Sequence, residues 1–129
     1  RVPTDAAQGG RAVLARAVAL GVEVASAAGT APQRVGIGAG GQIDPATGDV
    51  VPATEILPGW TGQPLARAFA DAFGVPAFAD NDVNALAEGE LRFGAGKGCR
   101  SLVFLALGTG VGGAVVVDGR VVHGPRGAG

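Results

Sequence analysis

The chain has 129 residues, enough for one domain, or one domain with a piece of another. Its hydrophobic fraction of 47% and mean hydropathy of +0.34 describe a globular protein able to bury a core, and no apolar stretch reaches the length of a membrane span. A net charge of -1, with the basic residues scattered, gives no electrostatic case for nucleic acid or an anionic membrane.

The predicted elements alternate along the chain. Asp5 to Ala28 carries Ala, Val and Leu at helical spacing, with Thr4 or Asp5 as N-cap and Gly29 as a stop. Gln33 to Gly38 reads as a short strand that runs into glycines, and Asp44 to Gly48 as a turn. Asp49 to Ala53 is predicted as a further strand and Pro58 to Gly62 as a loop. A helix opens at Pro64 and closes near Phe73, with Gly74 after it. Val75 to Ala79 is the next strand, Asp82 to Phe93 the next helix, and Gly94 to Gly98 a flexible joint. This order predicts an α/β fold with a mostly parallel sheet covered by helices. Ligands in such sheets sit beyond the carboxyl ends of strands, which is where Asn81 and Asp82 fall.

The stretch from Leu107 to Gly113 stands between two apolar runs, Ser101 to Leu107 and Ala114 to Val117. Gly108, Gly110 and Gly113 satisfy Gly-x-Gly-x-x-Gly, but a dinucleotide fingerprint needs a helix next. Three valines, Asp118-Gly119 and Arg120 to Val122 follow instead, a hairpin pattern. Gly-Lys-Ser/Thr is absent, so this is no Walker-type P-loop. A glycine loop between strands brings bare N–H groups close to an anion. Thr109 inside it, together with Asn81-Asp82 upstream, points to phosphoryl transfer onto a hydroxyl rather than to a simple turn. Cys99 stands alone, which excludes an internal disulfide and makes a cytoplasmic setting the default. His123 makes no metal site by itself and reads as a solvated or packed strand residue.

Val75 to Ala85, then Gly89-Glu90, Phe93 to Gly96 and Leu107 to Gly113 together resemble the ROK family of repressors and sugar kinases. Val35 to Gly41, Leu57 to Trp60, Gly119-Arg120 and Gly124 to Gly129 fit the same family in order and spacing. The resemblance implies an actin-like ATPase (ribonuclease H-like) fold and transfer of the ATP γ-phosphate to a hexose or N-acetylhexosamine hydroxyl. It implies Asp82 as general base, Asn81 as a sugar ligand, and Gly108, Thr109 and Gly110 as part of a phosphate motif, with Mg²⁺ accompanying ATP. Gly41, Gln42 and Thr54 fall at sugar-contact positions of the N-acetylmannosamine kinase type. Gly40-Gly41 and Ile56 depart from the Pro-Gly and Asn of many glucokinases.

The family's first phosphate hairpin, its Glu-x-Gly-His sugar motif and its cysteine-rich structural zinc site are not in this stretch. The chain is therefore expected to be an internal fragment. Residues 1–98 would form most of the first lobe and residues 99–129 the start of the second, with apolar faces and strand edges left open. Alone it is expected to be inactive. The parent would be a cytoplasmic sugar kinase that binds sugar and ATP, a homo-oligomer when complete, with no membrane or nucleic-acid partner for this segment. The alternatives are the sugar-sensing domain of a ROK repressor and an inactive fragment.

Overall fold

A computed structural model describes residues 1–51, 57–108 and 110–127, without the Arg126 side chain. It contains two sheets. Strands β1 (Val35–Ala39) and β2 (Ala77–Asn81) pair in parallel, with Val35 opposite Ala77 and Ala39 opposite Asn81. Strands β3 (Leu102–Leu107), β4 (Val111–Val117) and β5 (Arg120–Val121) form an antiparallel meander. The expected mostly parallel sheet is thus one parallel pair beside an antiparallel unit.

Helices α1 (Gly10–Ala27) and α2 (Leu65–Phe73) pack together, and α2 lies against β1 and β2. Leu14, Ile43, Val50 and Leu65 form the buried core there, with Ile37, Ala39, Trp60, Phe69 and Ala79 packed around them. The first helix starts later than its pattern predicts. Ala6–Gln8 form a 3₁₀ turn, Asp5 has φ 48°, and Gly9 at φ 84° is the N-cap, without a side-chain cap. The reason is tertiary. The Gly10 N–H donates to the Pro58 carbonyl at 2.7 Å, and a Cβ on Gly10 would lie 2.3 Å from the Gly59 carbonyl oxygen. The chain therefore turns at Gly9 to bring α1 onto the 58–60 loop.

Of the strand predicted from Asp49 to Ala53, residues 49–51 are described, and they make isolated bridges rather than a ladder. Val50 makes a single bridge to Ile43, and Asp49 one to Pro64. The Asp44 carboxylate accepts from the Ala46 N–H at 2.8 Å, and this turn returns the chain beside Ile43. Pro52 and Ala53 lie outside the described residues.

Helix α3 (Asp82–Phe93) has the predicted bounds, and Asn81 caps it. The Asn81 Oδ1 accepts from the N–H groups of Val83 at 2.9 Å and Asn84 at 3.3 Å. Asp82 occupies the first turn, where a negative charge complements the helix dipole. The buried residues Asn84, Ala87 and Leu91 share one face. That face reaches both sheets, because α3 packs against β1 and β2 and also against β3, β4 and β5. The Gly94–Gly98 joint is a hydrogen-bonded turn rather than an open linker. Glu90 accepts from Ala95 through its carboxylate, and from Gly94 and Gly96 through its carbonyl.

The hairpin turn at Asp118-Gly119 has φ 49° and 76°, the primed geometry that suits strand twist. Strand β4 starts earlier than expected and takes Gly112 and Gly113 into its ladder, opposite Ala106 and Leu105. The glycine loop shrinks to residues 108–110, where the Gly108 N–H donates to the Gly110 carbonyl at 2.9 Å. Gly112 is needed for packing. A Cβ there would sit 2.6 Å from Val83 Cγ2. The opposite face of this sheet is open, with Val103, Leu105, Leu107 and Val111 all more than 60% exposed.

These contacts predict the stability of four variants. Gly112→Ala should cost about 1–3 kcal/mol by forcing α3 off β4. Gly89→Ala, where a Cβ meets open space within α3, should stabilise by about 0.4–1 kcal/mol. Asn81→Ala should cost about 0.5–2 kcal/mol through the lost cap, and Asn81→Asp, which keeps a capping oxygen, clearly less. Urea unfolding of the four variants beside the parent checks these, and equal stability of Gly112→Ala and Gly89→Ala would refute the close α3–β4 approach.

Candidate functional site

Between the two sheets, at the carboxyl ends of β1 and β2, lies a cavity of about 370 Å³. One wall is Gly41 and Gln42 beyond β1, with Asn81 at the end of β2. The base is Val83 and Asn84 in the first turn of α3, and the far wall is Gly112 and Gly113 of β4, with Gly127 at the rim. Its volume falls in the range of small-ligand sites.

Each wall is held by backbone-directed hydrogen bonds. The Asn81 Nδ2 donates to the Gly41 carbonyl at 3.0 Å while its Oδ1 caps α3. One Nδ2 hydrogen is left over for a ligand. The Trp60 Nε1 donates to the Gly40 carbonyl at 2.9 Å, and the Val51 N–H to the Gln42 carbonyl at 2.8 Å. The segment 40–42 is therefore tied from three directions. Asn84 is buried, 4% exposed, and its Nδ2 donates to Asp80 Oδ1 at 3.1 Å.

Of the residues singled out in the sequence, Gly41, Gln42 and Asn81 meet at this cavity. Asp82 is exposed on the first turn of α3, between the cavity residues Asn81 and Val83, but is not itself on the wall. Its Oδ1 lies 3.0 Å from the Val83 N–H. Gly108 and Gly110 are exposed at the hairpin tip and stand off the cavity, whose glycine wall is Gly112-Gly113 instead. Thr54 and Thr109 lie outside the described residues. Among the described residues, no group of three or more His, Cys, Asp or Glu side chains comes together to hold a metal.

Sequence reasoning missed Asn84 and Gly127. For Asn84 a signal existed: it follows Asn81 by three residues in a helix start, which puts the two on one face. Asp80 points away from the cavity, as strand alternation requires. It lines a second hollow with Phe78 and Glu88, and there it meets His123, whose Nε2 is 2.7 Å from Asp80 Oδ2. The two are 43 residues apart in the chain, and nothing local to either announces the pair.

The glucokinase of Halalkalibacterium halodurans is 40% identical over 93 residues, covering 72% of this chain and 28% of that protein. The bifunctional enzyme NanE/NanK of Brucella melitensis is 40% identical over 96 residues, covering 74% of this chain and 18% of that protein. Among solved structures, a ROK family glucokinase from Streptomyces griseus, in complex with glucose and AMPPNP, superposes with a TM-score of 0.84. It is 31% identical, and the match covers 98% of this chain and 38% of that one. The chain thus spans less than a third of the length of either of these curated relatives and well under half of the solved glucokinase. The ROK family model matches residues 3–129, almost the whole chain, and the protein belongs to the ROK family.

Proposed function

We propose that this chain forms part of the sugar site of an ATP-dependent kinase that phosphorylates a hydroxyl of a hexose or N-acetylhexosamine. The observation that carries this reading is the Asn81 side chain. It caps α3 and holds the Gly41 carbonyl together, and so places Asp82 beside a cavity with polar walls. The glucokinase relatives, one of them solved in complex with glucose and AMPPNP, support the sugar class.

In this reading the remaining Asn81 Nδ2 hydrogen, the glycine backbone at Gly41, and the Gln42 and Thr54 side chains bind sugar hydroxyls. The sugar oxygen attacks the γ-phosphorus of ATP, and the Asp82 carboxylate accepts the hydroxyl proton. The bond from the γ-phosphorus to the β,γ-bridging oxygen breaks, and ADP leaves. Catalysis of this kind rests on positioning and charge stabilisation. The 108–110 loop, with the Thr109 hydroxyl, binds the phosphates in this reading, without the Gly108 N–H, which donates to the Gly110 carbonyl. Bound with ATP, Mg²⁺ would supply charge neutralisation at the phosphates. Among the described residues no three His, Cys, Asp or Glu side chains come together, and no step is assigned to Mg²⁺ or to a zinc ion. The two separate sheets support a division into lobes 1–98 and 99–129. The free, exposed thiol of Cys99 supports a cytoplasmic setting.

Asp82→Asn in the full-length protein tests the base directly. Because Asn81 holds the cap, folding should be spared. Sugar-dependent ADP release should fall about 10²–10⁴-fold, with a smaller loss of sugar affinity. Near-parental turnover would remove Asp82 from the chemistry, and sugar binding without any turnover in the parent would favour a sensing role. Thr109→Val should weaken nucleotide-dependent parameters by about 1.5–3 kcal/mol and leave sugar binding alone. Unchanged nucleotide kinetics in that variant would return the loop to a plain hairpin turn.

A further inference from the structure

The cavity is built from two sheets, and the contacts at its mouth leave open what sets the distance between its walls. Behind it, Asp80 uses both carboxylate oxygens. Oδ1 accepts the Asn81 N–H at 2.7 Å and the Asn84 Nδ2 at 3.1 Å. Oδ2 lies 2.7 Å from the His123 Nε2. A carboxylate offers only acceptors, so Nε2 carries the hydrogen and donates. Both side chains of this pair are about one third exposed, at 32% and 33%, so the bond is half-sheltered from water.

The two ends of this bond belong to two chain segments that both reach the cavity. Asp80 grips Asn81 and Asn84, both on the wall and base. His123 follows β5 and leads in four residues to Gly127 at the rim. Gly127 is packed tightly there, since a Cβ on it would lie 2.0 Å from the Ile43 carbonyl oxygen, next to Gln42. The segment after β5 is therefore held at His123, in the hollow it shares with Asp80, and at Gly127, on the cavity lining.

We propose that His123 is a positioning residue. By donating to Asp80 it clamps the segment after β5 to the β2–α3 junction, and so sets the spacing between the Asn81–Asn84 wall and Gly127. This rests on the sugar-kinase reading for its kinetic effect, but the clamp has its own physical readout. His123 touches no reacting atom. Its loss should loosen substrate binding and leave the chemical step alone.

The experiment uses the full-length protein with His123→Ala, His123→Gln, Asp80→Asn and the His123→Ala/Asp80→Asn double variant. Steady-state kinetics gives KM for sugar and nucleotide and kcat, and amide hydrogen exchange is followed over residues 122–127. His123→Ala and Asp80→Asn should each raise the sugar KM roughly tenfold, the scale of one charge-assisted hydrogen bond, with kcat and nucleotide KM within about twofold. The double variant should be no worse than His123→Ala, because both changes remove one shared bond. His123→Gln, which keeps an amide donor, should recover most of the loss. Exchange at 122–127 should rise in His123→Ala and fall back in His123→Gln. An unchanged sugar KM in an active protein, additive losses in the double variant, or unchanged exchange would each overturn the proposal. A parent with no sugar-dependent turnover would sink the kinase reading alone. The clamp would then stand or fall on the exchange result.

Discussion

The double use of one amide holds the site together. Asn81 ends a parallel strand and starts a helix, and its side chain serves both neighbours. Its oxygen satisfies two N–H groups at the head of α3 that the helix itself cannot satisfy. Its nitrogen reaches 40 residues back to the Gly41 carbonyl. A cap alone would fix the direction of α3, and a loop contact alone would fix Gly41. Made by the same side chain, the two lock the helix start to the end of the neighbouring strand. An aspartate would cap as well but has no donor for Gly41, so the residue type matters at this position.

Helix α3 is the element shared by the two sheets. Its buried face, at Asn84, Ala87 and Leu91, packs between them, and Gly112 lets its first turn press onto β4. This approach brings the strand glycines to the cavity while the hairpin tip stays clear of it. It also explains why a polar residue is buried in the middle of the contact. Asn84 at 4% exposure donates to Asp80, so no buried polar side-chain atom among the described residues is left without a partner.

The charged groups around the site are arranged back to back. Asp82 lies on the solvent side of the first helical turn, and Asp80 on the reverse face of the strand, engaged with His123. Two carboxylates two residues apart thus meet different surroundings, one open and one committed to three hydrogen-bond partners. That asymmetry, rather than their proximity, distinguishes the two carboxylates.

Local pattern determined a good deal. The bounds of α3 followed from an apolar face at helical spacing with a polar start, the end of α2 from Gly74, and the Asp118-Gly119 turn from residues that tolerate positive φ. The family was legible too, because its motifs are short, ordered and rich in glycine. Tertiary structure decided the rest. The late start of α1 came from the contact of Gly10 with the 58–60 loop. The reach of β4 through Gly112 came from its pairing with β3 and its contact with Val83. Asn81 holds the cap because β2 runs two residues further than its apolar pattern, which carries Asn81 to the strand–helix junction. The Asp80–His123 bond was invisible in the chain, because a hydrogen bond between groups 43 residues apart leaves no periodicity and needs both sheets in place before it can form.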